Sequence, residues 1–167
     1  MYEHLLVALD GSHHAEQVLE HAEALAKAFH STIMLLRATV SAETLLAQTA
    51  TSGATLGDGA AFVDPTPILD ADRDAAVEYL NGVATRLRQH NLIVNTEHPE
   101  GPAAEEIVRR AAEEGVSLIL MTTHGRGGLG RVVFGSTADS VLRHAPCPVL
   151  LVRVSEEESR EADESAS

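Results

Sequence analysis

Short apolar runs alternate along this chain with longer stretches in which apolar residues return every three or four positions. The first pattern reads as a buried strand when turn formers bound it, the second as an amphipathic helix. HLLVALD (4–10) is the first strand, ending in Asp10 and followed by Gly-Ser. Residues 14–29 put Ala15, Val18, Leu19, Ala22, Leu25, Ala26 and Phe29 on one helical stripe. STIMLLRATV (31–40) is the second strand. Residues 41–70 have no sustained period, are rich in Gly, Thr and Ala, and contain Pro65 and Pro67; they read as a long mobile loop, with a helical turn in AETLLAQ.

Ala71–His90 returns to helical spacing through Ala76, Leu80, Val83 and Leu87. LIVNTEH (92–98) is the third strand and 101–115 the third helix, with Pro102 near its first turn and Gly115 at its end. SLILMTTH (117–124) is the fourth strand, Ser136–His144 the fourth helix and PVLLVRV (148–154) the last strand. Strands alternating with helices predict an α/β fold: an open parallel sheet of five strands, helices on both faces, right-handed crossovers. Ligands of such sheets bind beyond the carboxyl ends of the strands, where the winding reverses. Asp10 ends the first strand and a glycine-rich segment follows the fourth, so neighbouring strands would bring both to one crevice.

Composition and charge narrow the picture. With 167 residues the chain reads as one domain over 1–154, and 155–167 as a disordered acidic tail. The net charge is −13, of which residues 154–167, with six acids and one arginine, carry −5. Nucleic-acid binding, which needs a basic surface, is therefore not expected. The lone cysteine, Cys147, forbids an intrachain disulfide, and no run approaches the roughly 20 apolar residues of a membrane span. A cytoplasmic protein with no membrane partner is the expectation.

The segment MTTHGRGGLGRVVFGST (121–137) carries the candidate chemistry, with five glycines and three cationic or potentially cationic side chains, His124, Arg126 and Arg131. Gly125-x-Gly127-x-x-Gly130 has the glycine spacing of a dinucleotide fingerprint. That fingerprint belongs to the first strand–helix turn and needs an acid about twenty residues on, where this chain has a leucine. Gly130 to Thr137 has the outline of a P-loop, without the lysine that reaches the terminal phosphates. The third reading is an anion site, in which backbone N–H groups near a glycine turn, a helix N-terminus and the hydroxyls of Ser136 and Thr137 converge. Ser136 and Asp139 also fit a capping box that requires no ligand. Asp10 is equally a ligand residue or a turn residue before Gly11-Ser12.

Two stretches, LLVALDGS near the start and MTTHGRGGLGRVVFGSTADSVLRHAPCPVLLVR near the end, resemble the universal stress protein family, and the likeness runs from 3 to 153. The resemblance implies the strand order 3-2-1-4-5 and a nucleotide site built on G-x-x-G-x9-G-[S/T]. Gly125, nine residues, Gly135 and Ser136 keep the later part of that motif, and Thr122 stands at its first glycine. By this resemblance Asp10 would contact adenosine, Ala38 would lie beside the base, and Met121 and Thr122 would flank ribose and base. Gly125 and Arg126 would begin the phosphate wrap, and Gly135, Ser136 and Thr137 would hold phosphate oxygens. The implied ligand is ATP or AMP, ATP with Mg²⁺, and the implied assembly is a homodimer through the last strand, 148–154.

Other chemistry is sparse in the sequence. His13, His14 and His21 lie too far apart along one helix to hold a metal without further ligands, and no metal-binding motif is present. His124 is a phosphate contact or a loop residue, and Arg131 a phosphate contact or a solvated one. Ser136 lacks a nucleophile-elbow motif. Three functions stay open: a nucleotide-binding stress or regulatory module with at most slow ATP hydrolysis, a stress protein acting only through dimerisation and protein partners, and a small α/β enzyme.

Overall fold

The computed structural model describes residues 1–45, 64–124 and 135–154, with backbone alone at His124 and Val154. Five parallel strands form one sheet in the order β3-β2-β1-β4-β5: β1 His4–Ala8, β2 Thr32–Leu36, β3 Ile93–Glu97, β4 Leu118–His124 and β5 Val149–Val154. The helices are α1 His13–Glu16, α2 Val18–Phe29, α3 Thr66–Arg88, α4 Ala103–Glu113 and α5 Ser136–His144. The expected α/β architecture and strand order are those observed.

Side chains alternate across each strand, so a run apolar at every position must be covered twice. Leu5, Val7, Ile33, Leu35, Leu118 and Leu120 point to one face and pack with α1, α2 and α3. Leu6, Leu36, Ile119 and Met121 point to the other and pack with α4 and α5. Small residues on the helices, Ala15, Ala22, Ala26, Ala111 and Ala138, let the backbones approach the sheet closely, which suits a chain that is 3% aromatic.

Two helices differ in outline from the sequence reading. The first helix is two pieces: Gln17, at φ −64° and ψ −18°, turns its N–H toward His14, three residues back, in the tighter 3₁₀ manner. Ala15 and Val18, three apart, both reach the core as a result. The third helix begins at Thr66, inside the segment read as a loop. Pro65 caps it and Pro67 sits in its first turn, where a missing N–H costs nothing, so the prolines open the helix instead of interrupting it. Its first two turns carry exposed Ile68 and several acids, and the apolar stripe starts only at Ala76, which hid them from a periodicity argument. Residues 42–45 form the expected helical turn, while 46–63 and the tail lie outside the described residues. Gly115 does close α4, in the left-handed region at φ 61°.

Candidate functional site

The sheet splits where its winding reverses. β1 pairs with β4 only from Leu5↔Leu118 to Val7↔Leu120. Beyond that, β1 stays with β2 through Ala8↔Leu36 and a bond from Leu9 N–H to Leu36 O, 2.9 Å. β4 stays with β5 as far as His124↔Val154. The divergence opens a cleft of about 220 Å³ at the carboxyl edge. Ala8, Leu9 and Asp10 line one side and Met121, Thr122 and Thr123 the other, with Ala15 of α1, Ala103 and Ile107 of α4 and Gly135 to Ala138 at the start of α5 completing it among the described residues.

Asp10 stands at the mouth. Its Oδ1 accepts from the Ser12 N–H at 2.9 Å and the Ser12 hydroxyl at 2.6 Å, while Ser12 Oγ accepts from the Ala15 N–H at 3.1 Å. Ser12 is therefore the helix cap, and Asp10 is the acid that orients it. Gly11 between them has φ +88°, and a Cβ there would lie 3.1 Å from Arg37 Nη1. Arg37 is held in turn by Asp72 Oδ1 at 3.4 Å and packs over the Tyr79 ring, 5.8 Å from its centroid. Asp72 Oδ2 also accepts from the Val40 N–H at 2.8 Å, which ties the start of α3 to the end of β2.

The opposite wall is the N-terminus of α5. The capping box expected from Ser136 and Asp139 does not form. Gly135 is the cap residue, with no side-chain cap bond, and Ser136 is already helical. The Asp139 carboxylate is taken by Arg143, at 2.8 Å from Nε and 3.1 Å from Nη2, which holds its carboxyl below the ordinary carboxylate range. The i,i+4 arginine outcompetes the backbone of the first turn because it brings a full charge and two donors. The first-turn N–H groups and the hydroxyls of Ser136 and Thr137 are consequently uncommitted among the described residues, on the cleft side of a helix end carrying partial positive charge. Gly135, at φ −60°, needs no glycine for its backbone conformation, and nothing described lies within 4 Å of a Cβ built there. Its small size leaves open space against the helix end.

Of the residues named from sequence, Asp10, Met121, Thr122, Gly135, Ser136 and Thr137 line one cleft. Ala38 sits two residues past β2, half-buried, and is not among the lining residues. Gly125, Arg126 and Arg131, like the side chain of His124, lie outside the described residues. The sequence reading left out Ala103 and Ile107, one turn apart on α4, and Thr123. The period-two alternation of SLILMTTH carries the signal for Thr123, since it places that residue on the Met121 face. Burial pushes the Cys147 thiol up, so it packs against the second core cluster as a neutral group. Among the described residues no group of three His, Cys, Asp or Glu side chains could hold a metal ion, and no helix is long and apolar enough to cross a membrane.

The chain is 29% identical over 153 residues to the universal stress protein YxiE of Bacillus subtilis, covering 92% of this chain and 100% of that one. It is also 29% identical over 153 residues to a universal stress protein of Thermus aquaticus, with the same coverage. Among solved structures, a universal stress protein family member from Burkholderia pseudomallei superposes with a TM-score of 0.67 at 28% identity, over 90% of this chain and 96% of its own. The model of the universal stress protein family matches residues 1–153, so with this sheet order and these relatives the chain belongs to that family.

Proposed function

We propose that this chain binds an adenine nucleotide, AMP or ATP, in the cleft between β1 and β4, and works through it as a stress or regulatory module with at most slow ATP hydrolysis. The observation that carries the reading is the α5 N-terminus, which opens onto the cleft with no side-chain cap and, among the described residues, two uncommitted hydroxyls. Phosphate meets unpaired N–H groups and a favourable helix end there. Asp10, on the other side, offers a carboxylate acceptor to ribose or base. It is the sole acid among the described lining residues, so Mg²⁺ entering with ATP would be held chiefly by phosphate oxygens and water. No histidine and no second acid lines the described cleft beside Asp10 to form an acid–base pair, which argues for slow hydrolysis.

Proteins of the same fold give a precedent. A universal stress protein solved in complex with cAMP superposes with a TM-score of 0.65 at 16% identity over 92% of this chain. One from Archaeoglobus fulgidus, solved in complex with dAMP, does so at 0.63 and 19% over 90%. At these identities they lend the fold, and the ligand reading for this chain rests on its own cleft.

Calorimetric titration with AMP, ATP and ATP with Mg²⁺ tests the proposal. Saturable binding is expected for wild type, and at least about tenfold weaker binding for Gly135→Val, the size of effect one or two lost ligand contacts produce. The variant should stay folded, since the backbone at 135 tolerates a side chain. No binding of wild type at millimolar ATP would leave the alternative reading, a stress protein acting through dimerisation and partners. The proposal extends to a homodimer through β5, which lies at the edge of the sheet with half-buried apolar side chains.

A further inference from the structure

One hydroxyl in the cleft is left over by the hydrogen bonds of the described residues. Thr123 is 4% exposed, yet its Oγ1 has no hydrogen-bond partner among the described residues. A hydroxyl withdrawn from water and left unpaired is destabilising, and native structures keep few of them. Valine has nearly the same shape and would remove the penalty. The position is also not a neutral one for a hydroxyl. Alternation along β4 puts Thr123 on the face of Ile119 and Met121, under α4 and α5, and it lines the same cleft as Ser136 and Thr137.

We propose that Thr123 is a ligand-binding residue, whose hydroxyl donates to a phosphate oxygen of the nucleotide seated at the α5 N-terminus. This rests on the nucleotide reading above. A phosphate oxygen is favoured over ordered water by the surroundings. Water needs two to four polar partners, donors and acceptors together, to be held in a buried site. At the α5 end the walls are Ala103, Ile107 and Ala138, and the polar groups there are first-turn N–H donors and hydroxyls able to donate, while Asp10, the acid of the described lining, lies on the β1 side and is engaged by Ser12. An acceptor-rich anion is served by all the groups of the α5 end at once. The Thr123 hydroxyl, unpaired among the described residues, becomes satisfied when the anion arrives, so part of the binding preference is stored as a local destabilisation of the empty cleft.

Two substitutions and three ligands test this. Thr123→Val should raise the thermal midpoint of the free protein by a few degrees, the shift expected for a domain of this size. The same variant should bind AMP about 5–10-fold more weakly, the factor expected for one lost hydrogen bond, and adenosine within about twofold of wild type. Thr123→Ser should keep AMP affinity within about twofold of wild type. Unchanged AMP affinity in Thr123→Val overturns the proposal. Equal weakening of adenosine and AMP overturns it too, by assigning the hydroxyl to the nucleoside, and a lowered midpoint overturns it by showing a structural partner. If wild type binds neither AMP nor adenosine, it is the nucleotide reading that fails. Inorganic pyrophosphate then judges Thr123 alone: wild-type binding that Thr123→Val weakens about 5–10-fold supports the assignment, and no difference refutes it.

Discussion

At the scale of single residues, the turn Asp10-Gly11-Ser12 joins folding to the site. The Ser12 hydroxyl gives its proton to Asp10 and accepts from the Ala15 N–H, so one side chain both fixes the acid and starts α1. Ser12→Ala should cost about 1 kcal/mol, the usual loss of a side-chain cap, and should free the Asp10 carboxylate to move. Gly11→Ala should cost more, about 1–3 kcal/mol, because φ +88° disfavours any Cβ and Arg37 stands where it would go. Urea midpoints for the two variants check the order. A Gly11→Ala protein as stable as wild type would show that Arg37 swings away and the turn relaxes.

Among the elements, charge ties the end of α1 and the middle of α2 to the C-terminal end of α3 and the turn after it. Arg86 pairs with Glu16, and Glu23 accepts from Lys27 at 2.5 Å and lies 2.6 Å from His90 Nδ1. The Lys27 hydrogen bond pulls the Glu23 carboxyl below its ordinary 4.5, burial opposes it, and His90 adds to the lowering. A carboxylate with a lowered folded pKa stabilises above its unfolded value and loses that contribution as pH falls through the folded one. The pair is near the surface and screened by solvent, so Glu23→Gln should cost less than about 1 kcal/mol at pH 7. It should also flatten the fall in stability below pH 4.5, read as urea midpoint against pH. An unchanged acid limb would assign that fall to other carboxylates.

On the scale of the whole molecule, the open question is the sheet edge. Leu150 and Val152 pack against the first core cluster and Val149 and Leu151 against the second, so β5 is anchored from both sides and still half-exposed at the end of the sheet. Pairing two such edges about a two-fold axis would satisfy both. Light scattering should give about twice the 17.7 kDa chain mass at micromolar concentration. Val152→Lys should move it toward a single chain. Val152 lies at the rim of a surface hollow with Glu20 and His21, where a lysine stem can lie along the surface with its charge in water, so the fold should survive. A wild-type monomer at every concentration tried would remove the dimer from the proposal.

Sequence alone determined the repeating grammar of this protein. Apolar runs such as LLVAL and LILM, separated by three-to-four stripes, demand strands buried on both faces, and that requires a parallel sheet between helix layers. It also placed Asp10 at the end of a strand and Ser136 and Thr137 at the opening of a helix, both carboxyl-edge positions, while Met121, Thr122 and the role of Gly135 entered through the family resemblance. The strand order entered through the family resemblance, since periodicity does not state which strands are neighbours. Only the tertiary structure decided how side chains that compete for the same groups are shared. Asp139 had a backbone donor and an arginine within reach, and the arginine took it, leaving the α5 N-terminus open. Pro67 broke a periodic pattern on paper and opened a helix in space, because a proline in a first turn forfeits no hydrogen bond. Thr123 read as one more strand residue until burial under two helices removed its water. A local pattern records what a residue prefers; which preference wins depends on partners far away in the chain, and those meet only when the sheet splits between β1 and β4.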